Sequence, residues 1–188
     1  MIKLVEKPFF FLRHGETDWN REGRYQGQHD IPLNTAGIAQ ATTARELLME
    51  QNITVIHTSS LSRAFKTAEI VNTKHNVPLI PHRSLWECHY GELEGQLKND
   101  PTVDLRWKKG DTPKGAERYL DFSTRIITLL NKVLSSEGTA LIVAHRAVFW
   151  PILEAMGIST SSSLANAQPL YLEAPNVLND NWTITEIT

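Results

Sequence analysis

The chain of 188 residues is long enough for one sizeable hydrophobic core, and nothing in that length demands more than a single domain over residues 1–188. A formal net charge of −2, with both signs mixed along the chain, leaves no basic field to hold nucleic acid by counterion release, so any anion-binding site must be local. A single cysteine, Cys88, excludes an intrachain disulfide, and no stretch approaches the roughly 20 consecutive apolar residues of a membrane span; a soluble cytoplasmic protein with neither nucleic acid nor membrane as partner is expected.

Residues 9–12 read Phe-Phe-Phe-Leu without polar alternation, the pattern of a strand covered on both faces, as in parallel sheets. Lys3 and Lys7 precede this run, but it is too short for a secretion signal and stops at Arg13 and His14. Gly15 is expected to turn the chain sharply and bring its backbone close to a ligand. Residues 21–33, punctuated by Gly23, Gly27 and Pro32, read as a loop over that site. A helix follows over residues 36–51, capped by Asn34 or Thr35, with Ile38, Ala41, Leu47 and Leu48 near helical spacing. The β-branched run 53–58 makes a second strand. It leads into a helix that Ser59, Ser60 or Ser62 can cap and that buries Ala64, Phe65, Ala68, Ile70 and Val71.

Two prolines within residues 76–83 suggest a short extended piece at a sheet edge. Residues 85–95 break pattern, and residues 96–114, with Pro101, Gly110 and Pro113, form an irregular or partly helical excursion whose Lys108-Lys109 pair reads as a solvated face. The clearest helix is residues 116–134, with Leu120, Ile126, Ile127, Leu130, Val133 and Leu134 on one side and Gly138 as its stop. Residues 139–144 form a third apolar strand ending at His145, followed by a helix near 147–156 with Pro151 in its first turns. A serine-rich loop at 159–163 precedes two closing strands at 170–174 and 182–187. This alternation implies an α/β fold, a three-layer α/β/α sandwich with a mainly parallel central sheet. Ligands of such sheets bind beyond the carboxyl ends of the strands. Three strands here end in Arg13-His14, in residues 58–63 and in His145-Arg146, so residues far apart in sequence should meet at one rim.

Those residue types suit phosphoryl transfer, which needs an in-line nucleophile, positive charge around the other oxygens and a proton for the departing group. His14 serves as nucleophile through a neutral ring nitrogen, provided its other nitrogen donates to a backbone carbonyl. Arg13 and Arg63 offer planar forks for phosphate oxygens, and Arg63 falls in the first turn of a helix, where backbone N–H groups also favour an anion. Arg13-His14-Gly15-Glu16-Thr17 resembles the signature of the histidine phosphatase superfamily, the phosphoglycerate mutase-like proteins. The match continues through Asn20, the Gln26-Gly27 pair, residues 32–37, the Ser60-Leu61-Ser62-Arg63-Ala64 segment and the Glu87-Cys88-His89-Tyr90-Gly91 segment, as far as His145. The resemblance implies that His14 accepts the phosphoryl group, that Glu87 protonates the leaving alcohol, that His145 is the second histidine of the phosphate pocket, and that Asn20, Gln26 and Gly27 touch phosphate or substrate.

No histidine shows metal-ligand spacing, no serine-hydrolase elbow or Gly-rich Lys-containing phosphate loop is present, and Cys88 lacks the arginine six positions on that a cysteine phosphatase needs. No cofactor or metal is therefore expected, and the partner is a small phosphorylated metabolite. The expected activity is a phosphomonoesterase working through a phosphohistidine, with a mutase-type phosphotransferase or a non-catalytic phospho-ligand binder as alternatives. Two departures from the family pattern stand out. Arg146 replaces the usual glycine after the second histidine and either projects away or adds a cation that favours a second acidic group on the substrate. Gly115-Ala116-Glu117-Arg118 replaces a Gly-Glu-Ser run. Selectivity is expected to rest on Trp19, Tyr25, residues 96–114 and Arg146.

Overall fold

The computed structural model describes residues 2–158 and 164–188, so the serine-rich 159–163 segment lies outside the described residues. Its framework is one six-stranded sheet. β1 (Phe9–Arg13) sits inside it, flanked by β4 (Ala140–Ala144) and β5 (Pro169–Glu173); β2 (Val55–Ser59) and β3 (Leu79–His82) extend one side and β6 (Thr183–Glu186) ends the other, giving the order β3-β2-β4-β1-β5-β6. The pairings β3-β2, β2-β4 and β4-β1 are parallel; β1-β5 and β5-β6 are antiparallel.

Alternate residues of β1 face different cores, which explains its unbroken apolar run. Phe9 and Phe11 join Phe122, Ile126, Leu130, Phe149 and Ile152, from α5 (Tyr119–Leu134) and α6 (Phe149–Ala155). Phe10 and Leu12 join Ala44, Leu48, Ala68 and Val71, from α2 (Thr35–Leu48) and α3 (Ser62–His75). Helices therefore cover both faces, as expected of a three-layer α/β/α sandwich. Each fully buried Phe of β1 contributes on the order of 1.5–3 kcal/mol by leaving water. The excursion at 96–114 contains one short helix, α4 (Val103–Lys108), which buries Trp107 against Phe122 and Tyr119. Among the described residues no helix is long and apolar enough to cross a membrane.

Several local expectations are corrected. The helix expected from residue 116 begins at Tyr119, because Glu117 N–H donates to His89 O (2.9 Å) and Glu117 O accepts the Trp107 indole N–H (2.7 Å), which commits that backbone elsewhere. Leu120, expected in the core, is 70% exposed, and Ile38 of α2 is also exposed. The cap of α3 is not one of its serines: Asp30, from the preceding loop, accepts both Ser62 N–H (2.7 Å) and Ser62 Oγ–H (2.8 Å). Lys108 is not simply solvated, since its ammonium lies 4.5 Å from the Trp150 ring centroid and 3.8 Å from Glu154.

Candidate active site

Strand register builds the rim. Arg13 pairs with Ala144 and the His14 N–H donates to Ala144 O (3.0 Å), so His14 and His145 follow adjacent parallel strands in step, their ring centroids 5.2 Å apart. Ser59, at the end of β2 on the other side of β4, places Oγ 2.8 Å from His145 Nε2. Arg63 enters from the first turn of α3 and is fully buried, and Glu87 enters from the loop after β3, 8% exposed. Gly15 serves differently from the expectation. Its φ is not positive, and a Cβ there would collide with the backbone of Gly37, just as a Cβ on Gly37 would collide with Glu16. The two glycines let the start of α2 press against the segment carrying His14, and the Gly15 N–H donates to Thr67 Oγ1 of α3 (3.1 Å).

His14 Nδ1 lies 2.7 Å from Gly15 O. A carbonyl only accepts, so Nδ1 carries the proton and the neutral ring holds its lone pair on Nε2. Burial pushes the His14 pKa well below the ordinary imidazole value, and the charges of Arg63 and Arg13 push it the same way. His145 is likewise held neutral by burial, then by Arg63. Arg63 Nη1 donates to His29 O and Nη2 to Gly27 O (both 2.8 Å), while Arg13 Nη1 donates to Leu164 O (2.7 Å). These bonds fix the guanidinium planes and leave Arg13 Nε, Arg63 Nε and His145 Nδ1 buried without a partner. Buried polar atoms are rarely left without a partner, so three such nitrogens at one rim mark a polar site. Glu87 accepts Cys88 N–H at Oε1 (3.0 Å) and Ala147 N–H at Oε2 (3.4 Å), and burial raises its pKa against the pull of Arg63.

Arg13, His14, Asn20, Gln26, Gly27, Arg63, Glu87 and Arg146 all line one cleft. Asn20 also closes a capping box with Thr17 at α1 (Asp18–Arg21), and Thr17 Oγ1 donates to Gln26 Oε1 (3.0 Å), so both side chains are tied to the local scaffold. Gly27 adopts φ +52° against the Glu94 carboxylate, where a side chain has no room, and offers its carbonyl to Arg63. Of the other residues expected to set selectivity, Trp19 packs at a tilt against His29, and Tyr25 is buried beneath the Lys98 ammonium, which lies 5.0 Å from its ring.

Sequence reading missed Arg24 and Trp150, and named Tyr90 only within the acid segment and Lys98 and Asp104 only within the 96–114 excursion; all five also line the cleft. It missed Glu94 too, whose Oε1 accepts Gln28 N–H and Tyr90 N–H (both 3.0 Å) and so joins the loop that holds Arg63 to the loop that carries Glu87. Asn166 donates to His14 O (2.9 Å) from a segment with no motif. For Glu94 a signal existed: a carboxylate seven residues after Glu87, beside a glycine. For Asn166 none did. Among the described residues no group of three or more His, Cys, Asp or Glu is placed to hold a metal ion.

The fold and rim define an α/β/α protein that gathers two histidines from strand ends and two arginines, one from a strand end and one from the start of α3, at one rim. Residues 9–170 match the model of the histidine phosphatase superfamily (branch 1), and the chain belongs to that superfamily. It is 35% identical over 144 residues to the uncharacterized phosphatase PhoE of Bacillus subtilis, covering 76% of this chain and 73% of that protein. It is 43% identical over 190 residues to phosphoglycerate mutase-like protein 4 of Arabidopsis thaliana, covering 92% and 81%. Among solved structures, Bacillus stearothermophilus YhfR superposes with a TM-score of 0.80 at 26% identity over 95% of each chain. A mycobacterial glucosyl-3-phosphoglycerate phosphatase in complex with VO3 shares the fold, with a TM-score of 0.81 at 23% identity over 97% of this chain and 98% of that one.

Proposed function

We propose that this protein is a phosphatase that hydrolyses a small phosphomonoester through a phosphohistidine on His14, with Glu87 as general acid and base. The observation that carries the reading is the His14 tautomer. Nδ1 is held by Gly15 O, so the Nε2 lone pair is available at a rim where burial, and then the charges of Arg63 and Arg13, keep the ring neutral. In the first step the Nε2 lone pair forms the N–P bond as the P–O bond to the leaving group breaks, and Glu87 gives its proton to the departing oxygen. In the second, Glu87 as carboxylate takes a proton from water whose oxygen bonds to phosphorus, the N–P bond breaks, and neutral His14 and protonated Glu87 return. Arg13 and Arg63 hold the non-bridging oxygens through N–H groups without other partners. Ser59 donating to His145 Nε2 places the His145 proton on Nδ1, as a further donor to phosphate.

Membership of the superfamily and the similarity to a protein named as a phosphatase support the hydrolase reading. Similarity to a phosphoglycerate mutase-like protein favours a second reading, transfer of the phosphoryl group to another acceptor instead of water. Rapid quenching with a labelled phosphomonoester tests both. An acid-labile phosphoenzyme is expected in the wild type and absent from His14→Ala, with the label ending in inorganic phosphate; label ending in a second ester supports transfer. Wild-type turnover by His14→Ala would overturn both.

A further inference from the structure

The cleft is more positive than a phosphate needs. With Arg24 paired to Glu22 at 2.6 Å, the remaining charged groups of the lining are Arg13, Arg63, Lys98 and Arg146 against Asp104 and Glu87. As the acid, Glu87 is neutral, so four cations face one carboxylate and the balance is +3. A phosphomonoester dianion leaves one positive charge unanswered. Arg13 and Arg63 are buried at the phosphate end, whereas Arg146 is exposed and, among the described residues, forms no ion pair.

The position of Arg146 says where that charge acts. It lies in the turn between β4 and α6, and the next residue, Ala147, donates its N–H to Oε2 of Glu87. The Arg146 charge acts on both Arg13 and Lys98, and all three line the cleft, so the guanidinium serves the space beside the phosphate end, where the rest of the substrate must lie. We propose that Arg146 reads a second anionic group, a carboxylate or another phosphate, on the leaving part of the substrate, which makes the preferred substrates phosphorylated acids or bisphosphates over esters whose one anionic group is the phosphate. This inference rests on the hydrolase reading for the location of the leaving group. A guanidinium with no ion-pair partner among the described residues suits such a group, because its planar fork binds two oxygens at once and no ion pair there must be broken first.

The test compares substrates matched except for one charged group: 3-phosphoglycerate against glycerol 3-phosphate for a carboxylate, and fructose 1,6-bisphosphate against fructose 1-phosphate for a phosphate. Wild type is expected to favour the doubly anionic member of at least one pair by about tenfold or more in kcat/KM, the size of one charge-assisted bond. Arg146→Ala should reduce that ratio toward one, and Arg146→Lys should keep part of it. Which pair responds separates carboxylate from phosphate. A wild-type ratio near one in both pairs, or a ratio unchanged in Arg146→Ala, overturns the inference while leaving the hydrolase reading intact. If no phosphomonoester releases phosphate, the hydrolase reading fails by itself. Calorimetric affinities of the same pairs for wild type and Arg146→Ala then decide the inference by the same ratios.

Discussion

His14 and Glu87 are shifted in opposite directions by the same cause. Burial disfavours whichever form is charged, which lowers the imidazole and raises the carboxyl; Arg63 then pulls both downward. Under the proposed mechanism the active form has neutral His14 and protonated Glu87, so it exists between the lowered and the raised pKa. For an alkyl phosphate, kcat/KM is therefore expected to fall as pH rises through the raised pKa of Glu87, and Glu87→Gln should remove that alkaline limb. The same substitution should slow alkyl phosphates by about a hundredfold to ten-thousandfold, the usual contribution of a general acid. A nitrophenyl ester, whose leaving group departs without a proton, should lose far less. Equal losses for both ester classes would remove Glu87 from the role of acid. His14 was legible in the sequence because the chemistry demands its type at a strand end, and Glu87 only through the family resemblance of its segment. Glu94 and Asp30 were less so, since each acts through hydrogen bonds to backbone 66 and 32 positions away.

The elements around the rim are held by a few local devices, each open to a single substitution. Asp30→Ala removes the side-chain cap of α3 and should cost about 1 kcal/mol in a urea titration, the usual value of a lost cap. Gly37→Ala should cost more, on the order of 1–3 kcal/mol, because its Cβ meets the Glu16 backbone and neither side can give without moving the strand end that carries His14. It should weaken phosphate binding as well, which the cap variant should not do to the same degree. At the β2-β3 edge, His57 Nδ1 and His82 Nε2 are 2.9 Å apart, and burial followed by His82 lowers the His57 pKa from 6.5 to about 4. Between those values the unfolded chain binds more protons than the folded one, so stability is lost as pH falls through that window, by on the order of 2–3 kcal/mol. Urea midpoints from pH 7 to 4 should show this loss in the wild type and a shallower one in His57→Gln. Strand and helix types were readable from apolar runs and helical spacing. The start of α5 was not, because spacing alone cannot reveal that the Glu117 backbone is already bonded to His89 and Trp107.

At the scale of the whole molecule, the unpartnered donors at the rim couple ligand binding to stability. Inorganic phosphate or vanadate at about 100 times its dissociation constant should stabilise the fold by about 2.7 kcal/mol and raise the melting temperature by roughly 5–10 °C. Arg63→Ala should lose most of that increment. The parallel half of the sheet was legible, since strands alternating with helices leave few other arrangements. The antiparallel placement of β5 against β1 was not, because a closing strand carries no mark of the neighbour it will choose. That placement bears on how the chain is made. Both partners of β1 are synthesised long after it: β4 begins at residue 140 and β5 at residue 169. At ribosomal speeds, roughly 10 s separates translation of the Phe-Phe-Phe-Leu strand from that of its first partner. During that interval this apolar strand has no strand of its own to pair with, so it stays unpaired until residues beyond 140 are made.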